Sequence, residues 1–207
     1  ALGQAALRDP AQRSALDEAT AIFARIDTAR LTDDAAHALT QTLGRGLLQA
    51  DPARGIQLLE RAHLDYPAGR TRESELELLD AYLQAGRVND ARRMVMELAA
   101  EVRENPGDAP YLIDGAVAWG DHLYRAGDYR LAADAFKMAV DAATANGGQV
   151  SGRRADPEWA KYQRANALLN LEDFAGSRTL FEEIAGTSSP WSAEADAKAR
   201  FARLEEQ

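Results

Sequence analysis

Apolar residues recur along most of the chain at separations of three and four, which gathers them on one face of a helix. Nowhere do they alternate long enough to predict a strand. The pattern breaks at clusters of turn-forming residues: Asp51-Pro52, Pro67-Ala-Gly69, Ala85-Gly-Arg87, Asn105-Pro-Gly-Asp108, Ala126-Gly-Asp128, Asn146-Gly-Gly148, Asp156-Pro157 and Ser188-Ser-Pro190. The segments between them run to roughly 12–20 residues, a length at which an isolated helix is marginal and needs a partner face. The predicted class is all-α, and an array of helical hairpins is the natural way for such segments to bury their stripes.

The hairpins share a layout. Leu123 through Ala132 passes the turn Ala126-Gly-Asp128 and leads to Ala135, Phe136, Lys137, Met138 and Ala139. A second copy runs from Ala167 to Phe174 and on to Ser177, Phe181 and Ile184, and a third from Ala81 to Val88 and on to Ala91, Val95 and Leu98. A more divergent copy keeps Leu43, Leu47, Gly55, Leu59, Ala62 and Pro67. In each, a helix ends in a tight turn, and the next helix sets a small residue ahead of two large or apolar ones.

This layout resembles the tetratricopeptide repeat (TPR), a helix–turn–helix unit of about 34 residues. Gly120, Gly127, Asp128, Tyr129, Ala132, Phe136 and Ala139 match its pattern most fully; Tyr82, Gly86, Ala91 and Leu98 match, as do Ala165, Asp173, Phe174, Ser177 and Phe181. The resemblance implies a right-handed superhelical solenoid. A half-repeat is expected over 1–30, with a helix at about 11–28. Repeats are expected over 31–69, 70–108, 109–150 and 155–190, then a capping helix over 191–207 with a polar outer face. The spacing between turns departs from strict regularity, growing from 36 to 41 to 45 residues at Asp51, Arg87, Asp128 and Asp173. The added length falls in a long second helix running to Pro106 and in the polar loop from Asn146 to Arg154.

Composition narrows the function. The 207 residues suffice for one domain or two small ones. There is no cysteine, hence no disulfide, thiolate metal site or cysteine nucleophile. A net charge of −9 argues against nucleic acid, whose phosphates require a positive surface. No apolar run approaches the length of a membrane span. The opening Ala1-Leu-Gly-Gln4 reads as a processed product or an excised piece, so the compartment is not legible.

Candidate chemistry is sparse. His37, His63 and His122 fall in no metal-ligand spacing, and no calcium loop is present. Gly44-Arg-Gly46 lies within a predicted helix rather than after a strand, so it does not read as a nucleotide loop. Asn146-Gly-Gly148 with Gly152-Arg-Arg154 offers backbone N–H groups and two guanidinium groups to an anion, against the plainer reading of a solvated inter-repeat loop. No nucleophile elbow or Ser/His/Asp grouping occurs, and nothing singles out an acid/base pair. A non-catalytic protein without metal or cofactor is expected.

The resemblance also implies a concave ligand face lined by the first helix of each hairpin. The positions expected there are His37, Thr40, Gly44, Leu47 and Leu48, then Glu73, Leu76, Asp80, Leu83 and Gln84. They continue with Asp114, Val117, Asp121, Tyr124 and Arg125, then Trp159, Tyr162, Asn166, Leu169 and Asn170. Of these, Glu73, Asp80, Asp114, Asp121, Tyr124, Arg125, Trp159, Tyr162, Asn166 and Asn170 form the candidate partner-binding groove. Four acids among them disfavour a clamp for a peptide carboxylate and predict a basic or neutral polar partner. Tyr66-Pro67 and Ser189-Pro-Trp191 look similar to short motifs of bacterial cell-envelope repeat proteins, among them outer-membrane assembly lipoproteins and periplasmic partners of the Tol–Pal system. The leading expectation is a scaffold or adaptor that binds another protein, in the periplasm or envelope, with the cytoplasm as the alternative. A repeat segment of an exopolysaccharide export system, stacking sugars on Trp159, Tyr124 and Tyr162, is a second reading, and a self-associating architectural module a third.

Overall fold

The computed structural model describes residues 10–147 and 152–206, the side chains of 10–13 and 16 excepted. Its regular structure is helical, with no strand among the described residues. Ten α-helices follow in order: α1 (Pro10–Phe23), α2 (Asp33–Leu47), α3 (Pro52–Asp65), α4 (Arg72–Gln84), α5 (Val88–Glu104), α6 (Ala109–Arg125), α7 (Tyr129–Ala145), α8 (Pro157–Asn170), α9 (Phe174–Ala185) and α10 (Ser192–Glu205). No helix among the described residues is long and apolar enough to cross a membrane. The first helix stops earlier than the periodicity suggests, because Asp27 accepts the backbone N–H of Ala29 and starts a separate single turn, Thr28–Arg30.

The turn chemistry explains why the hairpins read alike. At the end of α4, Arg87 N–H bonds to Tyr82 O and Gly86 N–H to Leu83 O; at the end of α6, Asp128 N–H bonds to Leu123 O and Gly127 N–H to Tyr124 O. At the end of α8 the same pair of bonds runs from Asp173 to Leu168 and from Glu172 to Leu169. Each is a helix C-terminus closed by a left-handed residue. Gly86 and Gly127 take φ of 71° and 81°, and Glu172 is forced to 61° where the other copies use glycine. The aspartate that follows then starts the next helix: Asp128 accepts from Leu131 N–H and Asp173 from Gly176 N–H, each satisfying one of the orphan donors at a helix N-terminus.

The chain divides into two compact units, residues 1–87 and 88–207. The division falls inside the expected repeat 70–108. In the first unit α2 crosses α3 at two glycines: a Cβ on Gly55 would come within 2.8 Å of Leu48 N, and one on Gly44 within 3.0 Å of Gly55 O. Gly44 is therefore a packing residue, as the helical reading of Gly44-Arg-Gly46 requires. Glu77 of α4 takes Arg45 and Gln41 of α2, while Glu60 of α3 takes Tyr82 and Arg87. His37, Thr40, Gly44 and Leu47, expected to face a ligand, are instead buried. Thr40 is capped by Ala36 O, and His37 lies beneath Gly69, where a Cβ would sit 2.5 Å from His37 Cβ.

In the second unit each helix from α5 to α10 packs on the next in sequence, and α6 also touches α8. The seams are lined by alanine: Ala91, Ala116, Ala132, Ala135, Ala139, Ala160, Ala165, Ala195 and Ala202 are fully buried. Phe136 and Phe181 fill the larger gaps, and Phe136 lies so close over Gly120 that a Cβ there would meet its ring at 2.8 Å. The last helix departs in part from expectation. It buries Ala195, Ala199 and Ala202, and its outward side carries two apolar residues among its charged ones: Phe201 is 49% and Leu204 70% exposed.

Two outcomes are expected from this packing. Glu172→Gly relieves the left-handed strain and raises stability by about 0.5–1 kcal/mol, while Gly127→Ala lowers it by a similar amount, read by thermal unfolding. Burial, reinforced by Arg70 and opposed by Asp34 and Glu77, holds the His37 pKa below its ordinary 6.5. The unfolded chain therefore binds the extra proton first, so the first unit is fully stabilised above about pH 6.5 and loses stability as the pH falls below it. Amide exchange over α2–α4 at pH 7.5 and pH 5.5 measures the loss, and His37→Gln is expected to remove the difference.

Candidate functional site

The richest grouping of aromatic and polar side chains lies in the second unit, on α6, α8 and α10. Asp156 caps α8 through Glu158 N–H, and Pro157 opens its first turn, which sets Trp159 and, one turn on, Tyr162 on the same side. Trp191, at the start of α10, meets both: its ring lies 4.9 Å from Trp159 and 5.6 Å from Tyr162, with Trp159 stacked on Tyr162 at 5.9 Å. Tyr162 is buried, edge-on to Phe181, whereas Trp159 and Trp191 remain partly open to solvent.

A lysine ties this cluster together. Lys198 donates to Tyr162 Oη at 2.8 Å and to Asn166 Oδ1 at 2.7 Å, pairs with Glu194 at 3.2 Å, and stands 4.8 Å from the Tyr162 ring centre. Burial alone would lower the Lys198 pKa, but the Tyr162 and Glu194 partners outweigh it and raise it above the ordinary value. Burial raises the Tyr162 pKa, while hydrogen bonds from Tyr162 and Lys198 lower that of Glu194. Asn166 is 6% exposed; its amide donates to Gln163 while its oxygen takes Lys198. Tyr162 and Asn166 are thus occupied within the chain rather than presented to a ligand.

The α6 side supplies the acid. Asp121 is half-buried, and desolvation raises its pKa against the opposing pull of Gln163, Arg125 and Trp159. Its Oδ1 is buried without a hydrogen-bond partner. Tyr124 Oη accepts from the Asn170 amide at 3.1 Å, and the Tyr124 ring meets Tyr129 edge-on. A hydrogen-bonded band therefore crosses from α6 to α8 to α10, with Arg125, Asn170 and Glu194 exposed along it.

Asp114 stands apart from this band. It is 3% exposed, and its carboxylate accepts three backbone N–H groups: Arg153 at 3.0 Å, Arg154 at 2.8 Å and Ala155 at 2.9 Å. The loop read as a possible anion nest does cradle an anion, but that anion belongs to α6. Gly152 is required there, because a Cβ would lie 2.2 Å from Asp114 Oδ1. Arg153 also reaches back to the Tyr111 hydroxyl. Asn146 and Gly147 take no part in these bonds, and Gly148 lies outside the described residues. Asp114 thus fastens the segment leading into α8 and so fixes where Trp159 stands; it does not line a ligand surface.

Of the ten candidate residues, Asp121, Tyr124, Arg125, Trp159, Tyr162, Asn166 and Asn170 share one region, with Asp114 beneath the adjoining loop. Glu73 and Asp80 belong to the first unit, Glu73 exposed and Asp80 half-buried. Sequence reasoning missed Gln163, Trp191, Glu194 and Lys198. The Glu194–Lys198 spacing of four was a usable signal, hidden by treating the last helix only as a cap. Among the described residues, no group of three or more His, Asp or Glu side chains is placed to hold a metal ion. No family model and no curated protein matches the chain.

The Asp114 latch makes a direct prediction. Asp114→Asn keeps the shape but turns an amide toward backbone N–H donors, and is expected to cost about 2–3 kcal/mol. Arg154→Ala, which removes a half-exposed guanidinium standing 3.9 Å from the Asp114 carboxylate and leaves the three backbone bonds in place, is expected to cost less, no more than about 1 kcal/mol. Urea unfolding of the two variants, with amide exchange at Arg154 and Ala155, measures the contrast.

Proposed function

We propose that the chain is a non-catalytic scaffold of the tetratricopeptide-repeat type, binding a basic or neutral polar segment of another protein on the α6/α8/α10 face. The observation that carries this reading is the pairing of two half-open indoles, Trp159 and Trp191, with the half-buried carboxylate of Asp121 and the exposed Glu194. Partly exposed tryptophans beside carboxylates suit a cationic or amide-bearing partner, since an indole face attracts a cation and a desolvated acid gains most from one. Tyr162, Asn166 and Lys198 form the rigid floor beneath. The repeated hairpin turns support the repeat type. The envelope role rests on the resemblance of Tyr66-Pro67 and Ser189-Pro-Trp191 to bacterial envelope repeat proteins, and the periplasm is the proposed compartment.

A second reading, a glycan-handling segment, is favoured by the exposed Asn170 amide and the half-buried Gln163 on the helix that carries Trp159, a pairing that suits sugar hydroxyls and a stacked ring face. Salt separates the two: binding through Asp121 and Glu194 weakens as ionic strength rises, while sugar stacking is insensitive to it.

Affinity capture with wild type, Asp121→Lys and Trp159→Ala, each checked for helicity, tests the proposal. A protein partner held by wild type and lost by both variants is the expected result; a partner held equally by all three removes this face from the interaction. Because folding raises the Asp121 pKa, its charge is unfavourable to the native state at neutral pH. The neutral form's advantage is complete below the unfolded value of 3.8 and is lost as the pH rises through the folded value. Asp121→Asn is therefore expected to raise the melting temperature at pH 7, with little gain at pH 3, while weakening partner binding about tenfold. Thermal unfolding at the two pH values and a binding titration check both halves.

A further inference from the structure

On the second unit, away from the tryptophan cluster, α5 and α7 flank a cavity of about 500 Å³. Its origin is small side chains at the facing positions of two 17-residue helices: Ala99 on α5, and Ala142 and Ala145 on α7, leave a trough floored by Val102, Leu112 and Met138. The volume lies in the range that takes a compact apolar body. Its rim is charged. Lys137 and Asp141 pair with each other along α7, but Arg103 on the α5 wall and Asp134 on the α7 wall have no ion-pair partner among the described residues. One wall thus offers a free cation and the other a free anion. Both walls are helices whose backbone groups are internally bonded, so no strand can add to them; a helix laid along the trough is the element that fits.

The same unit carries such a helix without a partner. Opposite the buried Ala195, Ala199 and Ala202, α10 exposes Ala193, Ala197, Phe201 and Leu204, a stripe at spacings of four, four and three. That is the spacing of apolar anchors on a groove-binding helix. Arg200 and Glu205 stand on opposite flanks of this stripe, both exposed. A helix seated by Phe201 and Leu204 would turn its arginine to one wall of a trough and its glutamate to the other, and the walls here carry Asp134 and Arg103.

We propose that the trough between α5 and α7 receives α10 of a second copy of this chain, Phe201 and Leu204 entering the cavity while Arg200 faces Asp134 and Glu205 faces Arg103. Arg200 exchanges or shares its exposed intrahelical partner Asp196 on docking. The two surfaces differ, so the contact is heterologous, and each copy offers both halves of it; association runs head to tail and yields species larger than a dimer as concentration rises. The contact is small, so it is weak and reversible.

Sedimentation equilibrium over a wide concentration series tests this, with two variants on exposed positions. Ala145→Trp fills the trough and leaves α10 intact; Leu204→Glu spoils α10 and leaves the trough intact. Wild type is expected to gain mass continuously with concentration, and each variant alone to remain a monomer. An equimolar mixture of the two is expected to form a one-to-one dimer and nothing larger, because one working trough meets one working helix. Asp134→Arg is expected to weaken self-association at least tenfold, and adding Arg200→Asp in the same chain to restore it. A wild type that stays monomeric at every concentration overturns the proposal. So does association that survives either variant, or a mixture that stays monomeric; that last result would mean the two surfaces do not meet. Helicity of each variant, measured alongside, separates loss of contact from loss of fold.

Discussion

Every contact described here depends on how closely short helices can approach. Helices of 13–17 residues, α4 to α7 among them, do not stand alone in water, and their stability comes from the face they bury. Alanine and glycine at the seams let backbones come near enough for that burial to be dense. The fully buried alanines of the second unit and the Gly44–Gly55 crossing of the first are two versions of one constraint. Where the facing residues are small and nothing larger fills the gap, the same constraint leaves a trough, as between α5 and α7. Packing and vacancy on this molecule have a common cause.

The second theme is how an acidic chain uses its carboxylates. Asp128, Asp156 and Asp173 are spent on helix N-termini, Asp114 on three loop N–H groups, and Glu60 and Glu77 on joining helices of the first unit. These acids are satisfied and structural. Asp121 differs: it is half-buried, one oxygen has no partner, and folding disfavours its charge. A carboxylate kept at a net cost to stability, beside half-open tryptophans, is where a local rule is broken and the pull of Gln163, Arg125 and Trp159 offsets it only in part. Such places are the natural candidates for function. Lys198 shows the opposite case, a cation so thoroughly bonded to Tyr162, Asn166 and Glu194 that it serves as a fastener between α8 and α10.

The helices and their turns were legible in the sequence, and for local reasons. A period of three and four, a glycine in a left-handed C-terminal turn and an aspartate capping the next helix act over a few residues, so the turn clusters read from the sequence fall at the junctions between the helices from α2 to α10. The alignment of Ala85-Gly-Arg87, Ala126-Gly-Asp128 and Leu171-Glu-Asp173 reflects the same two backbone bonds made three times. Part of the candidate site was legible as well: the resemblance to the repeat set Asp121, Tyr124, Trp159 and Asn170 on one expected face, and the structure brings those four into one region.

What only the tertiary structure decided is which of these groups remain available. Asp114 and Asp121 sit two turns apart on one helix and look equivalent in sequence. Yet one is sealed by a loop about forty residues further on and the other is left half-open, because bonding partners from distant segments are set by packing and not by spacing. His37 and Thr40 turned inward for the same reason, and Lys198, far along the chain, claimed Tyr162 and Asn166. The sequence by itself determined the helices, their ends and the small-residue seams, since those follow from local backbone chemistry. Burial, which sets the state of each acid and the exposure of each ring, is a property of several segments at once and emerged only when they were brought together.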